Sequence, residues 1–210
     1  MKIVIFGAAG RTGQPLVQQA LILGHEVTAF ARDRSKIAIQ HDRLKIVEGD
    51  VRDPDRVSAA IEQQDAVISV LGQTRPVTPN LLTQGVSNIL KAMQQHQVRR
   101  FVYQTGAGVR SPQDGAPPFA AKVMMFLLKK ISPEVLRDSE EAARLIAVSD
   151  RDWNIARVPR LSDDPAKGQA HGGFDRPGFA AISRSDAAEF LLTQLIDPTY
   201  IRAMPFVSYR

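Results

Sequence analysis

The 210-residue chain contains no cysteine. Disulfides, thiolate nucleophiles and zinc–thiolate sites are thereby excluded, and the expected compartment is the cytoplasm. Also missing is any apolar run near the roughly 18 to 20 residues that cross a bilayer, so no membrane association is expected. The N-terminus lacks a signal-peptide layout, because its short apolar stretch runs straight into a glycine-rich turn. No repeat, linker or low-complexity tract divides the sequence, and no His/Asp/Glu grouping has the spacing of metal ligands. One domain over residues 1–210 follows, long enough to bury a substantial core.

Charge of one sign is in mild excess: 27 basic residues against 22 acidic ones, a net charge of +5. The positive side chains are scattered in twos and threes, as in Arg32/Arg34/Lys36, Arg99/Arg100 and Lys129/Lys130. They are not interleaved with aromatics in a stripe, so they read as solvated surface and no nucleic-acid partner is expected.

What is present is an alternation of strand and helix patterns. Lys2–Phe6 reads as a buried strand and Pro15–Leu23 as a helix, with Gly24 as its stop and His25–Arg32 as a second strand. "RLKIVEGD" supplies a third strand, and "DPDRVSAAIE" a helix with Asp53 as N-cap and Pro54 in its first turn. "DAVISVLG" is a fourth strand stopping at Gly72; a long helix follows near Asn80–Gln95, then "RRFVYQT" as a fifth strand. Further on, Phe119–Lys130 and Pro133–Val148 are expected as helices, "DWNIARV" as a sixth strand and Pro159–Gly178 as a loop containing His171. Ser185–Leu195 is expected as a last helix and "AMPFVSY" as a final edge strand. Such alternation predicts a parallel sheet covered on both faces by right-handed crossovers.

The opening "MKIVIFGAAGRTGQPLVQQA" puts Gly7, Gly10 and Gly13 between the first strand and the first helix. That is where a doubly wound fold binds a dinucleotide. Glycine lets the backbone approach phosphate, and the free amides and dipole of a helix N-terminus favour negative charge. The turn Gly7, Gly10, Arg11, Thr12 and Gly13 is therefore the expected cofactor cradle. Its first glycine interval is one residue longer than in the standard dehydrogenase fingerprint. At the end of the second strand an NAD site usually carries an acidic residue, whereas an NADP site uses arginine. Arg32 stands there and could grip a 2′-phosphate bidentately, with Lys36 adding charge; Asp33 is the competing candidate for the ribose. NADP(H) is expected in preference to NAD(H).

"IFGAAGRTG", "FARDRSK", "VEGDVRD", "DAVISVLG" and "SNILKAM…VRRFVYQTGAG" together resemble the atypical short-chain dehydrogenase/reductases. Within them the chain is similar to the NAD(P)H-binding branch that contains flavin reductase (biliverdin-IXβ reductase) and the NmrA-like proteins. The resemblance implies a Rossmann-type, doubly wound parallel sheet of order 3-2-1-4-5-6-7 in a three-layer α/β/α domain. It also implies that Thr12 and Gly13 meet the pyrophosphate, Asp50 and Val51 the adenine, Leu71 and Gly72 the ribose, and Thr105 the nicotinamide. Substrate-site elements would come mainly from 105–180.

Ordinary short-chain dehydrogenases use a Tyr-x-x-x-Lys pair, whose lysine lowers the tyrosine pKa for proton exchange with a carbonyl oxygen. Tyr103 and Tyr200 are followed four residues later by Ala107 and Met204, and Tyr209 is next to last, so no such pair exists. Flavin reductase carries serine after the fifth-strand threonine, where this chain has Gly106. It carries histidine after the proline closing the sixth strand, where this chain has Arg160 after Pro159. Those departures argue against a tetrapyrrole substrate. Hydride transfer to a flavin or quinone asks chiefly for stacking and proximity. Arg75, Pro159 and Arg160 are candidates for the substrate side, as is Met124 beside Met125 and Phe126; Thr105 and Arg160 are the catalytic candidates. The expected function is an NADPH-dependent reductase, monomeric or a small homo-oligomer, acting on a planar acceptor. The alternative is a non-catalytic NADP(H) sensor.

Overall fold

The computed structural model describes residues 1–73, 76–116, 130, 132–168, 170–175 and 180–209. Strand β1 (Lys2–Phe6) carries four consecutive residues, Ile3 to Phe6, with no exposed surface. A strand apolar on both sides is what the middle of a parallel sheet requires. Ile3 and Ile5 join one core, packed under helices α1 (Gly13–Ile22) and α5 (Arg184–Thr193). Val4 and Phe6 join the other, under α2 (Pro54–Ile61), α3 (Leu81–Gln95) and α4 (Pro133–Ala147). The result is a three-layer α/β/α domain.

The remaining strands are β2 (Glu26–Ala31), β3 (Leu44–Glu48), β4 (Ala66–Ser69), β5 (Arg100–Gly106), β6 (Asp152–Val158), β7 (Leu161–Ser162), β8 (Ala170–Gly173), β9 (Ile182–Ser183) and β10 (Phe206–Tyr209). Among the described residues the main sheet runs β3-β2-β1-β4-β5-β6-β10-β8, parallel except for the β10–β8 pair; β7 and β9 form a small parallel pair of their own. The order reverses at β1/β4, and in sheets of this kind the ligand crevice lies above the carboxyl ends of the strands at that reversal.

Local signals explain most boundaries. Gly24, at φ +87°, ends α1: its amide bonds Leu21 O and the His25 amide bonds Ala20 O, the two bonds of a Schellman stop. Asp53 caps α2 by accepting from the Asp55 and Arg56 amides, with Pro54 in the first turn. Two expectations need correction. The final strand β10 is not an edge, because β8 pairs beyond it, Phe206 opposite Gly173 and Tyr209 opposite Ala170. The expected loop Pro159–Gly178 contains β7 and β8, so His171 lies in a strand and not in a loop. "AHGG" has no apolar alternation; it is held by β10 and by Tyr200, whose hydroxyl donates to Gly172 O at 2.7 Å. Gly172 is required there, since a Cβ would sit 2.7 Å from the Tyr200 ring. The expected helix Phe119–Lys130 falls almost wholly outside the described residues.

Candidate functional site

The crevice is floored by the β1–α1 turn. Gly7 has φ +83°, and a Cβ on it would lie 3.0 Å from the Val70 backbone, so glycine lets the β1 and β4 ends approach each other. At Gly13 a Cβ would lie 2.1 Å from Gly7 O and 2.6 Å from Ala8 O. Only hydrogen fits where the helix leaves the strand. Gly10 closes the turn with a 2.9 Å bond from its amide to Gly7 O, and the Gln14 amide bonds Gly10 O at 3.0 Å. The amides between, at Arg11, Thr12 and Gly13, have no carbonyl partner among the described residues, and Thr12 makes no side-chain cap bond. A helix start with bare amides between two glycines has the geometry that favours an anion. Arg11 is exposed and ion-paired to Asp163, which also accepts from Arg184 at 2.6 Å.

At the far side of the crevice β2 ends on Ala31. The next residue, Arg32, is exposed, and its guanidinium has no hydrogen bond or ion pair among the described residues. Asp33 is occupied otherwise: its carboxylate accepts from the Ser35 amide at 3.0 Å and hydroxyl at 2.6 Å, capping a single 3-10 turn over Arg34–Lys36. Those bonds hold the Asp33 carboxyl below its ordinary pKa. Lys36 Nζ lies 3.8 Å from Asp33. Asp50 is gripped by Arg52 through bonds of 3.0 and 2.6 Å, and this pairing, with a contribution from Arg32, brings its carboxyl down to about 2. Val51 is buried against Gly85, where a Cβ would meet its methyls at 2.9 Å. Arg32, Lys36, Asp50 and Val51 thus border the β2 and β3 ends of the crevice.

The opposite end is formed by β4 and β5. Leu71 is half-buried; Gly72 is exposed with open space about it, so nothing steric demands glycine there. Gln73, just beyond, clasps Thr78 through both amide atoms and donates to Asp138 at 2.7 Å. Thr105 is buried near the end of β5, followed by the exposed Gly106. Pro159 is half-buried after β6, and Arg160 is exposed, with its carbonyl accepting from the Ile182 amide at 2.9 Å. Arg75 and Met124 lie outside the described residues.

Three buried groups went unseen in the sequence. Asp138 of α4 accepts from the Leu82 and Thr83 amides, both at 2.9 Å, and from Thr83 Oγ1 at 2.7 Å. It caps α3 in place of Asn80, which stands at the cap position with φ 54° and makes no side-chain cap bond. Arg157 and Asp114 form an ion pair whose side chains are 1% and 6% exposed. An arginine inside the apolar "NIARV" was the one visible hint. Tyr103 is fully buried with no partner for its hydroxyl among the described residues, and burial together with Asp138 pushes its phenol far above the ordinary value.

Among the described residues, cavities of about 260 Å³ between α5 and β8, 390 Å³ at the amino edge of the sheet around Lys2, Glu26 and Gln64, and 330 Å³ between α3 and the end of α4 lie away from the crevice, and a smaller one of about 100 Å³ lies between Gln73 and Arg137. Among the described residues no group of three metal-ligating side chains occurs, and no helix is long and apolar enough to cross a membrane.

Residues 7–198 match the model of a family described as NAD(P)H-binding. The chain is 32% identical over 208 residues to YwnB of Bacillus subtilis, covering 95% of this chain and 94% of that protein. It is 29% identical over 188 residues to a Streptomyces 3-diazoavenalumate denitrifying reductase, covering 82% of this chain and 60% of the relative. Several other curated relatives are longer still: the chain spans 33% of a photosystem II assembly factor and 32% of a mycobacterial 3β-hydroxysteroid dehydrogenase/isomerase. A Veillonella parvula short-chain dehydrogenase/reductase solved with NADP superposes with a TM-score of 0.82 at 22% identity, over 99% of this chain and 94% of that one, a likeness of fold. Glycine turn, sheet order and family match agree: the chain belongs to the NAD(P)H-binding family of Rossmann-fold proteins.

Proposed function

We propose that the protein binds NADPH in preference to NADH and transfers hydride to a flavin, quinone or similar planar acceptor. The observation that carries the cofactor choice is the contrast at the end of β2. Arg32 is exposed and makes no hydrogen bond or ion pair among the described residues, whereas Asp33 has one carboxylate oxygen engaged by Ser35 and the other 3.8 Å from Lys36. A 2′-phosphate would find a guanidinium and an ammonium there, and a ribose diol an acid already engaged by its own turn. In this reading Gly7, Gly10, Arg11, Thr12 and Gly13 hold the diphosphate. Arg32 and Lys36 hold the 2′-phosphate, Asp50 and Val51 border the adenine, Leu71 and Gly72 run beneath the ribose, and Thr105 orients the nicotinamide. The bound nicotinamide supplies the hydride. Residues 105–180 build the acceptor side, with Pro159 and Arg160 at its wall and Arg75 and Met124 as further candidates.

The choice of acceptor class is supported by the state of Tyr103, the tyrosine nearest the end of β5. Tyr103 is sealed in the core with a raised pKa and is not followed by lysine at the fourth position. An isoalloxazine or quinone ring accepts hydride by stacking and close approach, with water supplying protons. The similarity to a denitrifying reductase supports a reductase over a sensor. Mixing the protein with NADPH and a panel of flavins and quinones, while following nicotinamide absorbance, tests this. Turnover supports the enzyme; tight binding of both NADP forms without turnover on any acceptor establishes the non-catalytic sensor instead.

A further inference from the structure

Arg157 has the largest side chain among the fully buried residues, and it sits at the carboxyl end of β6, opposite Thr105 of β5 in the sheet register. Its guanidinium is used on every side. Nε donates to Met204 O at 2.8 Å, Nη1 to Val109 O at 3.2 Å and to Asp114 at 2.6 Å, and Nη2 to Asp114 at 2.7 Å. The Phe206 ring lies 3.7 Å from Cζ. Three segments therefore meet on one planar fork: the loop after β5, the end of β6 and the start of β10.

The loop so held is the one that leaves Thr105. It is pinned first by the Ala107 amide on Val158 O at 2.7 Å, then by Val109 N on Gly106 O at 3.1 Å, and finally by Asp114. Asp114 also organises its own turn, accepting from the Ser111 amide at 3.0 Å while its amide bonds Ser111 O at 3.0 Å. Stability alone does not call for such a pair, because apolar residues of similar volume often serve a core as well or better than buried ions. What the pair supplies is direction. A bidentate fork fixes the angle as well as the distance of what it holds.

We infer that Arg157 and Asp114 are positioning residues for hydride transfer, fixing the 106–114 loop so that the acceptor is held against the nicotinamide end at Thr105. The inference rests on the function proposed above, and neither residue touches the reacting atoms. The glycine turn lies three strand spacings away from β6, about 14 Å. Nucleotide affinity and acceptor handling should therefore separate. Arg157→Lys keeps the charge but loses the fork; Asp114→Asn keeps the shape but loses the charge, and serves should the lysine variant fail to fold.

In NADPH oxidation with the acceptor that the wild type uses best, either folded variant should lose on the order of tenfold to a hundredfold in kcat/KM, with KM for the acceptor raised. Its dissociation constant for NADPH should stay within about twofold, as for distant independent sites. Unchanged kcat and KM in a variant that folds would overturn the inference. So would a parallel loss of NADPH affinity, which signals general loosening. If the wild type turns over no acceptor, the proposed function fails first, and hydrogen exchange decides the loop separately. Faster exchange confined to amides 107–113, with the 10–14 amides unchanged, supports the clamp; equal exchange in both proteins refutes it.

Discussion

Removing the Arg32 side chain separates reading of the nucleotide from folding more cleanly than any other change at this site. In the free protein its guanidinium makes no hydrogen bond or ion pair among the described residues and acts on Asp50 only at longer range, so Arg32→Ala should alter stability by no more than about 0.5 kcal/mol. The loss should appear only with NADPH. A charge-assisted hydrogen-bonded contact contributes about 1.5–3 kcal/mol, and the exposure of Arg32 argues for the lower half of that range. At 1.4 kcal/mol per factor of ten, this is roughly a tenfold to fiftyfold weaker NADPH complex, with NADH affinity changed by about twofold at most. Asp50 should respond too, because Arg32 helps depress its carboxyl, and that pKa should rise in the variant. Calorimetric titration with each nucleotide at two salt concentrations is the assay, and the NADPH-specific loss should shrink as salt screens the exposed charge. Equal weakening of both nucleotides would refute the reasoning, and a switch in preference produced by Asp33→Ala instead would point to the neighbouring carboxylate.

Other consequences follow from single distances. Gly13→Ala puts a methyl 2.1 Å from Gly7 O, so the turn must open; a stability loss of at least about 1–3 kcal/mol is expected in urea unfolding, together with weaker nucleotide binding. An unchanged midpoint would show that helix and strand do not approach as described. Asp50 has a folded pKa of about 2 against an ordinary 3.8, so it stabilises the fold above about pH 4 and loses that contribution as pH falls towards 2. Thermal melts of Asp50→Asn should therefore show less acid destabilisation than the wild type over that window; identical profiles would remove Asp50 from the acid response. Tyr103→Phe deletes a buried hydroxyl without a partner and should leave stability the same or higher, with turnover unaffected. A large loss of turnover would restore the tyrosine to the chemistry.

Features that depend on near neighbours in sequence were legible; those that depend on distant ones were not. The glycine turn, the Asp53–Pro54 helix start and the Gly24 stop each act within a few residues, and each stands where the sequence places it. Strand β8 has no such local signal, because "AHGG" owes its conformation to β10 and to Tyr200. Its presence is also what moves the final strand away from the edge. Arg157 and Asp114 are 43 residues apart, and Asp138 meets Thr83 across 55. Neither pairing leaves a trace in periodicity, since a buried arginine in a strand and an aspartate on a helix both read as surface until the partner is known. Asn80 shows the converse: a good capping residue stands before α3, yet Asp138 takes the helix amides.

The account stands on the proposal that a diphosphate docks on the unpartnered amides of Arg11, Thr12 and Gly13. Injecting NADPH or NADP+ into the wild-type protein in a calorimeter tests it directly. The account predicts saturable binding of one nucleotide per chain that is weakened in Gly13→Ala; absence of binding by both nucleotides, or undiminished binding in that variant, would contradict it.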